Sequence, residues 1–88
     1  MEDATEIIET IRKQGLFEVA EVRTFRGFLS DSDEEVEIII SDSGEEAQAG
    51  RYTASAQLVE DPDRVSSSNP EHSIKMALLG VHWNELKH

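Results

Sequence analysis

The chain has 88 residues, and its 19 acidic and 8 basic side chains give it a net charge of −11. This length predicts a single domain, residues 1–88, with one modest core and no deep substrate cavity. Because there is no cysteine, disulfides, thiolate metal sites and thiol catalysis are excluded, and we expect a cytoplasmic protein. The sequence has no long apolar run and opens with Met-Glu-Asp, so we expect neither a membrane anchor nor a secretory signal.

The first predicted element is a helix over residues 3–14. Apolar residues recur there at i, i+3, i+4 and i+7, which places them on one helical face: Ala4, Ile7, Ile8 and Ile11. Asp3 and Glu6 form an Asp version of the capping box at its start. Gly15 provides the left-handed residue that commonly ends a helix. We therefore expect the apolar face to be buried.

Three strands are predicted next, at residues 16–29, 36–41 and 51–59. The first is rich in β-branched and aromatic residues, and its alternation changes phase between Val19 and Val22, which is typical of a β-bulge. The second and third alternate with period two. The polar run 30–35 between the first two strands is predicted to be an exposed turn.

A loop at residues 60–68 and a helix at residues 70–86 complete the predicted elements. Pro70 is favoured at the first position of a helix, and Asn69 is a suitable cap before it. Gly80 is unfavourable within a helix, so a second interpretation ends the helix there and continues as a tail.

The resulting α-β-β-β-α order predicts an α+β two-layer domain, with a three-stranded antiparallel meander and both helices packed on one face. This order resembles that of double-stranded RNA-binding domains. Those domains hold phosphates with a basic cluster at the start of their second helix. Here residues 69–73 read Asn-Pro-Glu-His-Ser, with Lys75 as the one basic residue nearby.

The last predicted helix has two apolar faces, and packing on a sheet uses only one of them. The second face consists of Met76, Leu79, Trp83 and Leu86. In one interpretation these residues pack against the first helix and complete the core. In the other they form an apolar interface centred on Trp83, for a protein partner or for a homodimer, because Trp and Met are enriched in binding hot spots.

The sequence has few residues suited to catalysis. The three imidazoles, His72, His82 and His88, lack the spacing of a metal-binding helix, and phosphate-binding glycine loops and nucleophile elbows are missing from the sequence. The acidic run after Ser30 lacks the Gly and Glu of an EF-hand loop. We therefore expect a protein that is not an enzyme, with no catalytic residue, cofactor or metal.

Acidity is the strongest signal in the sequence, and three explanations compete for it. It can serve solubility or salt adaptation in a structural or oligomerising domain, it can imitate a nucleic acid at a basic cleft, or it can steer an ordinary basic partner. In the second case the protein is an inhibitor of a nucleic-acid-binding enzyme. Direct binding to nucleic acid or to a membrane is not expected. The predicted acidic binding face comprises Asp31, Asp33, Glu34, Glu35, Glu37, Glu45, Glu46, Glu60, Asp61 and Asp63.

Overall fold

A computed structural model describes residues 4–45 and 47–86 and confirms the predicted α+β class. The elements within these ranges are two α-helices, four β-strands and a short 3₁₀ helix. In chain order they are α1 (Ala4–Arg12), β1 (Glu21–Phe28), β2 (Glu35–Asp42), β3 (Tyr52–Leu58), β4 (Val65–Ser67), α2 (Ile74–Leu79) and the 3₁₀ helix (Trp83–Glu85).

The sheet has four strands in the order β1-β2-β3-β4, with antiparallel pairing between all neighbours. The prediction of three strands was therefore one short, because β4 lies in the segment predicted as a loop. β4 is only three residues long, and its sequence Val-Ser-Ser lacks an apolar alternation. It forms because its residues pair with β3, for example Ser66 opposite Ala56.

The core lies on the face of the sheet that α2 and the following segment cover. β2 contributes Val36 and Ile40, and β3 contributes small side chains that let the helix approach closely. The fully buried members of this cluster, at most 1 % exposed, are Ala56, Leu58, Ala77 and Leu86. The period-two alternation of β2 and β3 correctly identified the residues that face this core.

α2 begins and ends within the span predicted for it, which was residues 70–86. The Ser73 hydroxyl oxygen accepts a hydrogen bond from the Met76 amide at 3.1 Å and caps the helix. Residue 71 is not helical because its amide and carbonyl both bond to the backbone of Tyr52, each at 2.8 Å. The helix ends at Gly80, as in the second interpretation, and the turn that follows carries both Val81 and Leu86 into the core.

β1 is shorter than the predicted strand at residues 16–29. Residues 16–20 precede it as irregular chain, with Glu18 at a φ of 54°. The change of phase between Val19 and Val22 therefore marks the start of the strand and not a bulge within it.

α1 confirms the first predicted helix, although Asp3 of the predicted capping box lies outside the described residues. Gly15 has the expected positive φ, at 93°. The helix packs at one end of the sheet, where Ile8 lies beside Gly44 and the Thr5 hydroxyl accepts a hydrogen bond from the Glu45 amide at 3.3 Å. The apolar face is only partly buried, since Ile8 is 3 % exposed and Ile7 is 41 % exposed.

Candidate protein-binding surfaces

Two turns meet at the same end of the sheet. Residues 29–34 join β1 to β2, and residues 59–64 join β3 to β4. Because Val36 pairs with Leu58, the start of β2 lies beside the end of β3, and the turns adjoin. The Val59 amide donates to the Glu35 carbonyl at 3.0 Å, and Arg64 joins the turns through an ion pair with Glu34 at 3.2 Å.

This arrangement brings together seven of the ten residues in the predicted acidic face. We call this group the acidic end: Asp31, Asp33, Glu34, Glu35, Glu60, Asp61 and Asp63. Five of the seven side chains are exposed, and Glu34 and Glu35 are about one-third exposed. The fold therefore brings two acidic runs that are separate in the sequence, residues 31–35 and 60–63, into one surface.

The backbone of the acidic end is fixed by hydrogen bonds within each turn. The Asp33 amide donates to the Leu29 carbonyl at 2.8 Å, and Asp33 adopts a φ of 58°. Asp is one of the residues that tolerate this left-handed conformation. In the second turn the Arg64 amide donates to the Asp61 carbonyl at 3.0 Å. The acidic side chains thus project from defined turns.

Two arginines adjoin the acidic end, and both are engaged there. The Arg64 guanidinium pairs with Glu34 and also donates to the Leu86 carbonyl. The Arg26 guanidinium pairs with Glu35 at 3.3 Å and with Glu37 at 3.1 Å. Two guanidinium groups among seven carboxylates leave this end with a net negative charge, so it keeps a negative field.

Of the other three residues of the predicted acidic face, the structure describes two, Glu37 and Glu45. Glu37 is the third residue of β2 and bonds to Arg26, which also pairs with Glu35. Glu45 is at the opposite end of the sheet, roughly six strand residues or 20 Å away, and its carboxylate lies 3.7 Å from Arg51. Glu46 lies outside the described residues. Glu45 therefore lies away from the acidic end, whereas Glu37 borders it through the arginine that it shares with Glu35.

The predicted apolar interface is divided between the core and the surface. Leu86 is fully buried, and Trp83 packs against the core with its indole N–H donating to the Leu78 carbonyl at 3.1 Å. Met76 and Leu79 are 53 % and 67 % exposed on α2. The structure therefore leaves two of the four predicted residues, Met76 and Leu79, as an open apolar surface.

β1 carries a larger exposed apolar surface that the sequence analysis did not single out. It is an edge strand, and residues 22–26 are all exposed. Its exposed apolar side chains are Val22, Phe25 and Phe28, at 57 %, 50 % and 69 %. The order of a simple meander places its first strand at an edge, so this position could have been found from the sequence.

A groove runs between β1 and α2 on the core face of the sheet. Its volume is about 400 Å³, and its lining is mostly apolar: Arg23, Phe25, Ile38, Ile40, Ile74 and Leu78. The groove exists because α2 is only six residues long and lies over β3, which leaves the β1 side of the face open.

A buried ion pair between Asp42 and Arg51 was also missed by the sequence analysis. Asp42 accepts two hydrogen bonds from the Arg51 guanidinium, at 2.7 and 3.0 Å, and one from the Gly44 amide at 2.9 Å. The pair links the last residue of β2 to the residue just before β3, and so holds the two ends of the connecting segment together. The sequence signal for this pair was an Asp at the end of the apolar strand β2 and a single Arg just before β3.

The described histidines lie at the surface. His72 and His82 are exposed, and His88 lies outside the described residues. Among residues 4–45 and 47–86, no three His, Asp or Glu side chains are grouped as metal ligands would be. Within the same residues, no helix has the length and apolar character needed to cross a membrane.

Comparisons with protein-family models, with curated proteins and with solved structures each found no match. The acidic end, the exposed edge strand and the groove are therefore the observations that bear on function.

Proposed function

We propose that this protein is a non-enzymatic protein-binding module whose acidic end contacts a basic surface on its partner. The observation that supports this proposal is the convergence of seven carboxylates on two adjoining turns. Gathering like charges opposes folding through mutual repulsion, and a basic partner relieves that repulsion. Complementary charge also raises the rate of association and selects among partners.

The partner that fits this surface best is a nucleic-acid-binding protein, and the protein would then act as its inhibitor. Such proteins hold phosphates with Lys and Arg side chains, and carboxylates on a rigid surface compete for the same cations. The turns of the acidic end are held by backbone hydrogen bonds, so their backbone needs little ordering when they bind. The protein would not itself bind nucleic acid, because its charge has the same sign.

The test uses two variants with the same change in net charge. The acidic-end variant neutralises four residues of that surface and keeps Glu34 and Glu35, which bond to arginines: Asp33→Asn, Glu60→Gln, Asp61→Asn and Asp63→Asn. The matched variant neutralises four exposed carboxylates elsewhere: Glu6→Gln, Glu9→Gln, Glu18→Gln and Glu85→Gln. The tagged wild-type protein and both variants are incubated with cell lysate, and bound proteins are eluted with duplex DNA.

We expect DNA to release the same proteins from the wild type and from the matched variant, and far less of them from the acidic-end variant. Equal recovery from both variants would show that total charge, and not the acidic end, controls binding. If duplex DNA releases no bound protein from the tagged wild type, the proposed partner class is wrong. The acidity would then serve solvation of a structural domain.

A further inference from the structure

We propose that β1 pairs antiparallel with β1 of a second copy of this chain, so that two four-stranded sheets become one sheet of eight strands. β1 is an eight-residue edge strand, and among the described residues no strand pairs with its outer side. An unpaired edge with exposed apolar side chains is a template for strand addition. The other edge strand, β4, has only three residues and offers a much shorter template.

The order of side chains along β1 indicates that the strand pairing with it is β1 of a second copy. When Phe25 lies opposite Phe25 of the second copy, Val22 lies opposite Phe28, and all three exposed apolar side chains meet apolar partners. Moving the register by two residues in either direction places Val22 opposite Arg26 or Ser30. Opposed residues in a sheet lie on the same face, so this register also joins the two core faces.

The groove beside β1 supports the same register. Phe25 lines the groove on the core face, with Ile38 directly across on β2. In the paired state the two Phe25 rings meet on this face, where the two grooves join. Each groove then gains an aromatic ring from the second copy, which covers apolar side chains that a single chain leaves in water.

Gly27 removes the steric obstacle to this arrangement. In the proposed register it lies opposite Arg23 of the second copy, and a Cβ atom at Gly27 would have no neighbour within 4 Å in one chain. The long Arg23 side chain, which pairs with Glu21 at 3.2 Å, can therefore lie across the partner strand. Glycine within a strand often marks the approach of another backbone.

Charge determines how the pairing responds to salt. β1 has two arginines and one glutamate, so it carries net positive charge in a chain of −11. Antiparallel pairing also puts the two acidic ends on opposite sides of the joined sheet. Two chains of charge −11 repel each other at long range and the two positive strands repel at close range, and salt screens both effects, so dimerisation strengthens as salt rises. Binding of a basic partner through the acidic end weakens under the same change, which keeps the two proposals separable.

Crosslinking tests the register in the purified protein. The chain has no cysteine, so Phe25→Cys gives each copy a single thiol. Directly opposed Cα atoms lie about 4.5–5.5 Å apart in an antiparallel pair, a distance that a disulfide spans. Val22→Cys is the matched control on the same strand, because Val22 would be roughly 20 Å from its own counterpart.

With diamide as oxidant, we expect Phe25→Cys to form a covalent dimer much faster than Val22→Cys. Equal rates, or no dimer from Phe25→Cys, would overturn the proposed register. Sedimentation of the wild-type protein, which has no cysteine, tests whether the dimer forms. We expect a mass of twice 9.9 kDa that is retained in Leu79→Lys and lost in Phe25→Lys. A wild-type monomer at both low and high salt would refute the pairing.

Discussion

The Asp42–Arg51 pair provides a quantitative test of how the end of β2 is held to the start of β3, at the end of the sheet opposite the acidic end. Asp42→Asn removes the negative charge and keeps one side-chain oxygen, which still accepts from the Gly44 amide. The second oxygen is replaced by an NH₂ group. This group and the Arg51 guanidinium are both hydrogen-bond donors, so they cannot bond to each other. One charge-assisted hydrogen bond is lost, and Arg51 is left without its closest carboxylate.

The expected loss of stability follows from the burial of the two side chains. Asp42 and Arg51 are 8 % and 18 % exposed, so solvent replaces little of the lost interaction. A hydrogen bond to a charged group contributes about 1.5–3 kcal/mol. Breaking a fully buried pair costs about 3–5 kcal/mol. Because Arg51 also has Glu45 at 3.7 Å, we expect a decrease of about 2 kcal/mol in the free energy of unfolding.

Urea unfolding measures this loss through the fluorescence of Trp83, the only tryptophan. Glu21→Gln is the matched control, because it removes a carboxylate that pairs with Arg23 on the surface, where the side chains are 39 % and 54 % exposed. We expect the control to change stability by less than about 0.5 kcal/mol. Equal effects of the two substitutions would refute the role assigned to the buried pair.

Three further substitutions, two of them with a matched control, test the packing, each by urea unfolding. Gly50→Ala places a Cβ atom 2.6 Å from the backbone of residues 70 and 71 at a φ of 143°, so we expect a loss of about 3 kcal/mol. Gly27→Ala meets no atom within 4 Å in one chain, so it should instead stabilise the monomer by about 0.5 kcal/mol, measured at a protein concentration too low for dimerisation; a similar loss at both glycines would contradict the close approach. Leu86→Ala should cost about 3 kcal/mol, against less than about 0.5 kcal/mol for the exposed Leu79→Ala. Arg64→Met removes the bonds to Glu34 and to the Leu86 carbonyl and should cost about 1–2 kcal/mol; an unchanged midpoint would show that the two turns are held without it.

The elements with strong periodicity were predictable from the sequence. α1 has its apolar residues at helical spacing, and β2 and β3 alternate with period two, so their types and inward faces were identified correctly. The α+β class follows from these elements, because an apolar sheet face requires a helix to cover it. The local sequence pattern was sufficient to predict an element where apolar residues recur with the period of the helix or strand.

Tertiary pairing determined the parts that were predicted incorrectly. β4 has no pattern of its own and forms because its backbone completes hydrogen bonds with β3. The start of α2 moved from Pro70 to Ile74 because residue 71 bonds to Tyr52. Such long-range bonds leave little trace in a single sequence, since Pro and Asn satisfy turns and helix caps equally well.

The candidate site was predictable in its composition but not in its arrangement. The acidic runs are visible in the sequence, whereas their convergence depends on the antiparallel register that brings the two turns together. Glu45 appeared equivalent to Glu60 in the sequence and lies at the opposite end of the sheet. Leu86 appeared equivalent to Leu79 and is buried, because the chain turns after Gly80.

Binding through the acidic end is tested most directly by the affinity of a purified, DNA-released partner at several salt concentrations. Exposed charge pairs contribute about 0.2–1 kcal/mol each, so neutralising four of them should weaken binding by about tenfold or more at low salt. We expect the affinity of the wild type to fall steeply with salt, and that of the acidic-end variant to start lower and fall less. The matched variant should behave as the wild type does. A partner that binds both variants equally, or whose affinity does not change with salt, would contradict the proposed role of the acidic end.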